Sequence, residues 1–155
     1  MKKVLFLHGL ESKPGGRKPK RLKEKGFQVF NPHLPKSSFE ESIKIAQSAV
    51  DAEAPDIIVG SSRGGAIAMC LECRGAKLVL IAPAWKRFNL SQDRTIPKTS
   101  MVLHSMVDQV VNYEDSVELT DASGAYLMAI GECHRMNDEG ALEGLLVAVN
   151  WVSTP

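Results

Sequence analysis

Cysteine is scarce: three in 155 residues, an odd number that makes no disulfide framework. Long apolar runs are missing too. The longest cover 4–7, 66–71 and 78–85, far short of the ~18 residues of a membrane span. No membrane contact is therefore expected. Lys2 and Lys3 precede only four apolar residues before His8, fewer than the ~7–15 of a secretory signal. A soluble, cytoplasmic protein is expected. An excess of either charge is lacking as well: 19 basic and 18 acidic residues leave +1, so overall charge does not mark a polyanion binder. Repeats, linkers and low-complexity segments are absent. What remains is an ordinary globular composition, 44% apolar and 24% charged, at a length that predicts one domain over 1–155.

Six apolar segments, 3–7, 27–31, 56–60, 77–82, 100–104 and 125–130, are mostly continuous rather than alternating. That pattern suits strands covered on both faces of a parallel sheet. Helical patterns lie between them. Phe39, Ile43, Ala46 and Val50 form one stripe, and Ser38 with Glu41 forms its capping box. Further helices are expected near 19–25, ending at Gly26, at 66–73, at 110–121, and after Asn137 as N-cap. Six strands alternating with five helices predict a doubly wound α/β sheet.

The chemistry is concentrated in Gly60-Ser61-Ser62-Arg63-Gly64, then Gly65. This G-x-S-x-G follows a strand and opens a helix, the context that gives the motif meaning. The glycines permit a sharp, strained turn that exposes the Ser62 hydroxyl, and the Arg63 N–H can face an oxyanion there. A serine nucleophile needs a base, and the base an orienting acid. Asp108 follows the fifth strand and His134 the sixth, so both are expected at the same sheet edge as Ser62. Asp108 would fix the His134 tautomer, and His134 would take the Ser62 proton.

The elbow, the order serine–acid–histidine and the segment Asp108-Gln109-Val110-Val111 resemble the α/β-hydrolase family along the whole chain. They are most similar to its short, lidless, bacterial esterase-like members. The resemblance implies a compact α/β-hydrolase fold: a mostly parallel six-stranded sheet, helices on both faces and no cap domain. It implies that His8-Gly9-Leu10 is the oxyanion loop, with the Leu10 N–H as second donor beside Arg63. Substrate contacts are then expected from His8, Gly9, Trp85 and Phe88. The antiparallel edge usual in the family is not represented, and 83–99 is the only insertion at the usual lid position. The implied activity is hydrolysis of a small ester or thioester through an acyl-enzyme, without metal or organic cofactor. Peptidase and acyltransferase chemistry use the same residues.

Rival readings accompany these residues. His104, at the end of the fifth strand, is the alternative base. Glu114, Asp115 and Glu132 are alternative acids. The His8 ring is also expected to bond backbone, and His33 to be a surface residue. Trp85 either walls the site or caps the core. Cys70-Leu71-Glu72-Cys73 has C-x-x-C form, but it sits at the wrong end of its helix for redox chemistry. No further ligand lies at zinc spacing. Seven cations fall within 13–25, offset only by Glu24. They form either a solvated helix face or the contact of a non-catalytic binding module with an anionic partner. No aromatic residue interleaves them, which argues against base stacking and a nucleic-acid partner.

Overall fold

The computed structural model describes residues 1–91 and 93–155. Six strands, β1 (Lys3–Leu7), β2 (Gln28–Phe30), β3 (Ile57–Ser61), β4 (Lys77–Ile81), β5 (Met101–His104) and β6 (Tyr126–Ala129), form one sheet in the order β2-β1-β3-β4-β5-β6. Every neighbouring pair is parallel. The sheet is thus wholly rather than mostly parallel.

Among the described residues, five α-helices cover it: α1 (Arg17–Glu24), α2 (Phe39–Glu53), α3 (Arg63–Ala68), α4 (Tyr113–Ser123) and α5 (Glu139–Val152). Successive strand residues point to opposite faces, and here both sets are apolar. Val4, Phe6, Ile57, Val59, Val79, Ile81 and Leu103 pack with Leu22 of α1 and with Leu145, Ala148 and Val149 of α5. Leu5, Leu7, Ile58, Leu78, Leu80 and Val102 pack with Ala46 and Val50 of α2, Ile67 of α3 and Leu119 of α4. Two cores, one per face, account for the unbroken apolar runs.

The helix ends differ from expectation in ways that local bonds explain. The cap of α5 is Asp138, whose carboxylate accepts from the Ala141 N–H, not Asn137. Helix α4 begins after Asn112, whose side chain accepts from the Glu114 N–H, because 110 and 111 are held in a turn by Asp108. Helix α3 starts directly after Ser62 and stops at Ala68, so Cys70 and Cys73 lie beyond it as half-buried free thiols. Helix α2 is capped by Ser38 as its sequence predicts.

The chain leaves β1 for β2 on one side and returns to β3 on the other. The loops following β1 and β3 therefore diverge at a switch point, where doubly wound sheets open a crevice. Among the described residues, no helix is long and apolar enough to cross a membrane.

Candidate active site

Ser62 stands between β3 and α3 with φ 55° and ψ −113°, a strained backbone for a residue with a side chain. The strain is held from several directions. The Ser62 N–H donates to the Ile81 carbonyl at 2.8 Å, and its carbonyl accepts from Gly65 and Ala84, each at 3.0 Å. Glycine is required on both sides. A Cβ on Gly60 would overlap the Gly64 carbonyl, and one on Gly64 would overlap the Leu7 carbonyl.

The Ser62 hydroxyl donates to His134 Nε2 at 2.9 Å, and His134 Nδ1–H donates to Asp108 Oδ2 at 2.7 Å. Acceptor-only carboxylate oxygens set this tautomer. Asp108 comes from the loop after β5 and His134 from the loop after β6, so the parallel sheet delivers all three to one rim. A bond from the Ser105 hydroxyl to the Gly131 carbonyl, 2.9 Å, ties those two loops together. The other Asp108 oxygen, Oδ1, accepts from the N–H groups of Val110 and Val111 at 2.7 and 2.8 Å.

His104 also meets Asp108. It is wholly buried, and its Nε2–H is shared between Asp108 Oδ2 at 3.1 Å and the Val111 carbonyl at 3.0 Å. Its Nδ1 accepts from the Ser116 hydroxyl of α4 at 2.7 Å. Asp108 is thus fully enclosed and four times hydrogen-bonded. Burial alone would push its carboxyl up. The bond from His134 and the two backbone N–H groups outweigh that and hold it below the ordinary 3.8. Burial keeps the His104 imidazole below 6.5, against the Val111 carbonyl and Asp108, which favour the charged form. His104, considered in the sequence as a rival base, sits behind the acid rather than beside the serine. The four-residue step from His104 to Asp108 was the available signal; its meaning depends on the turn that folds Asp108 back over the strand end.

A cleft of about 760 Å³ opens over Ser62 and His134. Gly9, Leu10, Arg63 and Phe88 line it. Gly9 packs against Ser61 and Ser62. Among the described residues, the N–H groups of Leu10 and Arg63 have no partner within the chain. The Arg63 side chain runs the other way and is buried. It donates to the Pro35 carbonyl at 2.9 Å and the Ser42 hydroxyl at 3.2 Å, near the stacked rings of Phe39 and Phe88. Burial lowers its pKa.

Two expected substrate contacts are corrected. Trp85 is 1% exposed and donates from Nε1 to the Asp115 carbonyl at 3.1 Å, so it caps the core below α4 and does not wall the cleft. His8 is buried behind the loop. Its Nδ1–H donates to the Gly9 carbonyl and its Nε2 accepts from the Leu34 N–H. It braces the strand end and is absent from the cleft wall. Glu132 does line the cleft, while Glu114 and Asp115 belong to the first turn of α4.

This sheet order, elbow and rim define the α/β-hydrolase fold, and known structures agree. The chain is similar to a predicted CIB-like hydrolase from Thermoplasma acidophilum (TM-score 0.79, 17% identity, 98% of this chain and 86% of that one). It is similar to the esterase domain of a Rhodothermus marinus protein (TM-score 0.75, 18% identity, 98% and 86%). It is also similar to Est1E from Butyrivibrio proteoclasticus (TM-score 0.73, 17% identity, 97% and 85%). No match was found among curated proteins. The chain belongs to the uncharacterised protein family UPF0227, whose model matches residues 3–96. That span contains Leu10, Ser62 and Arg63; Asp108 and His134 lie outside it.

Proposed function

We propose that this protein is a serine hydrolase that cleaves a small carboxylic ester or thioester through an acyl-enzyme. The observation that carries the reading is the unbroken chain Ser62–His134–Asp108, 2.9 and 2.7 Å, at the floor of an open cleft. The names of two of the similar folds, a hydrolase and an esterase domain, support the same class.

Ser62 Oγ attacks the carbonyl carbon while His134 Nε2 takes its proton. Negative charge then moves to the carbonyl oxygen, where the N–H groups of Leu10 and Arg63 receive it. The tetrahedral intermediate collapses. The bond to the leaving oxygen or sulfur breaks, and His134 gives its proton to that atom. Water, deprotonated by His134, attacks the acyl-Ser62 ester; the bond from the acyl carbon to Ser62 Oγ breaks, His134 returns the proton to Oγ, and the carboxylic acid leaves. Asp108 stays ionised, keeps the His134 ring in place and stabilises its imidazolium form. Among the described residues, the 83–99 segment supplies only a short 3₁₀ turn, Trp85–Phe88, over the rim, so small soluble substrates suit the cleft better than emulsified lipid.

A fluorophosphonate should label Ser62 in the wild type, and p-nitrophenyl acetate should be hydrolysed. Ser62→Ala should abolish both. Turnover undiminished in Ser62→Ala would eliminate this assignment.

A further inference from the structure

The seven cations of 13–25 divide by where the fold sends them. Arg17 and Arg21 turn to α5: Arg21 lies 2.8 Å from Glu139 and 3.3 Å from Glu143, and Arg17 lies 3.7 Å from Glu139. Lys13, Lys20, Lys23 and Lys25 are exposed. Lys18 is half-buried and lines the cleft with Ser62 and His134. Its ammonium donates to the Arg135 carbonyl at 2.6 Å and to Asn137 Oδ1 at 2.9 Å. Both acceptors are neutral, and an ammonium carries three donors, so one remains. Burial, with the nearby Arg135 charge, pulls its pKa down to about 8.

Arg135 and Arg87 line the same cleft. Among the described residues neither they nor Lys18 is in an ion pair; Arg87 donates instead to the Val110 carbonyl. Two carboxylates oppose them, Glu11 and Glu132, and Glu11 is occupied by Lys36 at 2.9 Å. The cleft is therefore cationic although the chain as a whole is nearly neutral. The position of the charge matters as well. His134 is the residue that would protonate the departing atom, so the leaving group lies beside it. Arg135 follows His134 directly, and Lys18 is bonded to that residue's carbonyl.

We propose that the cleft takes an ester or thioester whose leaving alcohol or thiol carries an anionic group, a carboxylate or a phosphate, received by Lys18 with Arg135 beside it. This rests on Ser62 being the acyl nucleophile. The basic segment thereby gains one specific role, since a single cation of the seven enters the site.

The test compares p-nitrophenyl acetate with 5-acetoxy-2-nitrobenzoate, which bears a carboxylate on the leaving group, each rate corrected for hydroxide hydrolysis. Wild type should favour the anionic ester in kcat/KM by about tenfold, as a hydrogen bond between charged groups allows. Added salt should shrink the preference. Lys18→Gln should bring the ratio close to one and Lys18→Arg should retain it. A tether acting without its charge would not produce that difference. Arg135→Gln, an exposed side chain, should lower the ratio without disturbing the Lys18 contact to backbone, and it serves where Lys18→Gln fails to fold. Competition by benzoate and by phenyl phosphate against the neutral ester ranks the two headgroups.

Equal use of both esters by wild type, with Ser62-dependent turnover of the neutral one, overturns this proposal and leaves the hydrolase reading standing. A preference that survives Lys18→Gln overturns it too. So does preference for a carboxylate on the acyl side, read with mono-p-nitrophenyl terephthalate against p-nitrophenyl benzoate. If neither acetate ester is cleaved, 5-hydroxy-2-nitrobenzoate titrated into Ser62→Ala decides. Shifts of the amide resonances of 18 and 133–137, lost when Lys18→Gln is added, support the anion site; no binding overturns it.

Discussion

Two clefts of nearly equal size lie at opposite ends of the sheet. The one over the carboxyl ends of the strands, about 760 Å³, holds Ser62 and His134. The one at the amino ends, about 800 Å³, is lined by Lys2, Asp56, Arg74, Lys77 and Trp151 among others. Both are charged, but among the described residues only at the carboxyl rim do the polar groups form a chain from a half-buried hydroxyl to a buried acid. At the amino end, Asp56 accepts from the Lys3 backbone N–H at 2.8 Å, and Arg74 pairs with Asp51 and Glu72 on the surface. Volume does not distinguish the two; strand direction does. In a parallel sheet every strand-to-helix loop emerges at one rim, so residues far apart in the chain converge there.

The contrast is most directly broken at the serine. Ser62→Ala or His134→Ala should cut kcat by roughly 10³-fold or more, and the double variant should be little worse, because the residues act as a unit. Steady-state hydrolysis of p-nitrophenyl acetate measures both. A double variant that loses the product of the two single effects would show that they act independently.

The next effect concerns what supports the rim. Trp85→Ala should lower unfolding stability by about 3–5 kcal/mol, the range for removing a buried aromatic, read from the urea midpoint. A loss under ~1 kcal/mol accompanied by a raised KM would instead return Trp85 to the cleft wall.

His104→Gln probes the buried side of Asp108. Removing one of its four hydrogen bonds should lower kcat about tenfold, in line with a bond to a charged group, with KM unchanged. The pH dependence has a definite sign. His8 and His104 are held below 6.5 in the fold, so the unfolded chain binds protons that the folded chain does not. Their contribution is complete above pH 6.5 and is lost as pH falls through and below it. Asp108, held below 3.8, adds a second loss as pH falls past that value. His104→Gln should flatten the upper part of this decline in urea midpoints measured from pH 7.5 to 4.

The smallest effect belongs to the amino end. Arg74→Ala removes two exposed ion pairs and should change stability by under ~1 kcal/mol and turnover not at all. Any fall in turnover there would mean the second cleft takes part in the chemistry.

Much of this was legible in the residues. Continuous apolar runs announced a sheet covered on both faces, and Gly60 to Gly65 announced an elbow, because each rests on local sterics and periodicity. Ser62, Asp108 and His134 could be placed at one rim from strand order alone. Trp85 could not be assigned, since its composition suits a core and a wall equally and only the position of α4 decides. For His8 two roles were expected, a substrate contact and a bond to backbone, and the ring takes the second.

Backbone propensity, apolar periodicity and the strained glycine turn are properties of short segments, so the linear chain determined the order of elements and the setting of Ser62 by itself. The second histidine on Asp108, the burial of the Arg63 guanidinium and the entry of Lys18 alone into the cleft were decided by tertiary structure. Each depends on packing between elements, His104 on Ser116, Arg63 on Ser42 and Lys18 on Asn137, residues 12 to 119 positions apart, and a side chain's direction at such a distance is set by packing, not by its neighbours in the chain.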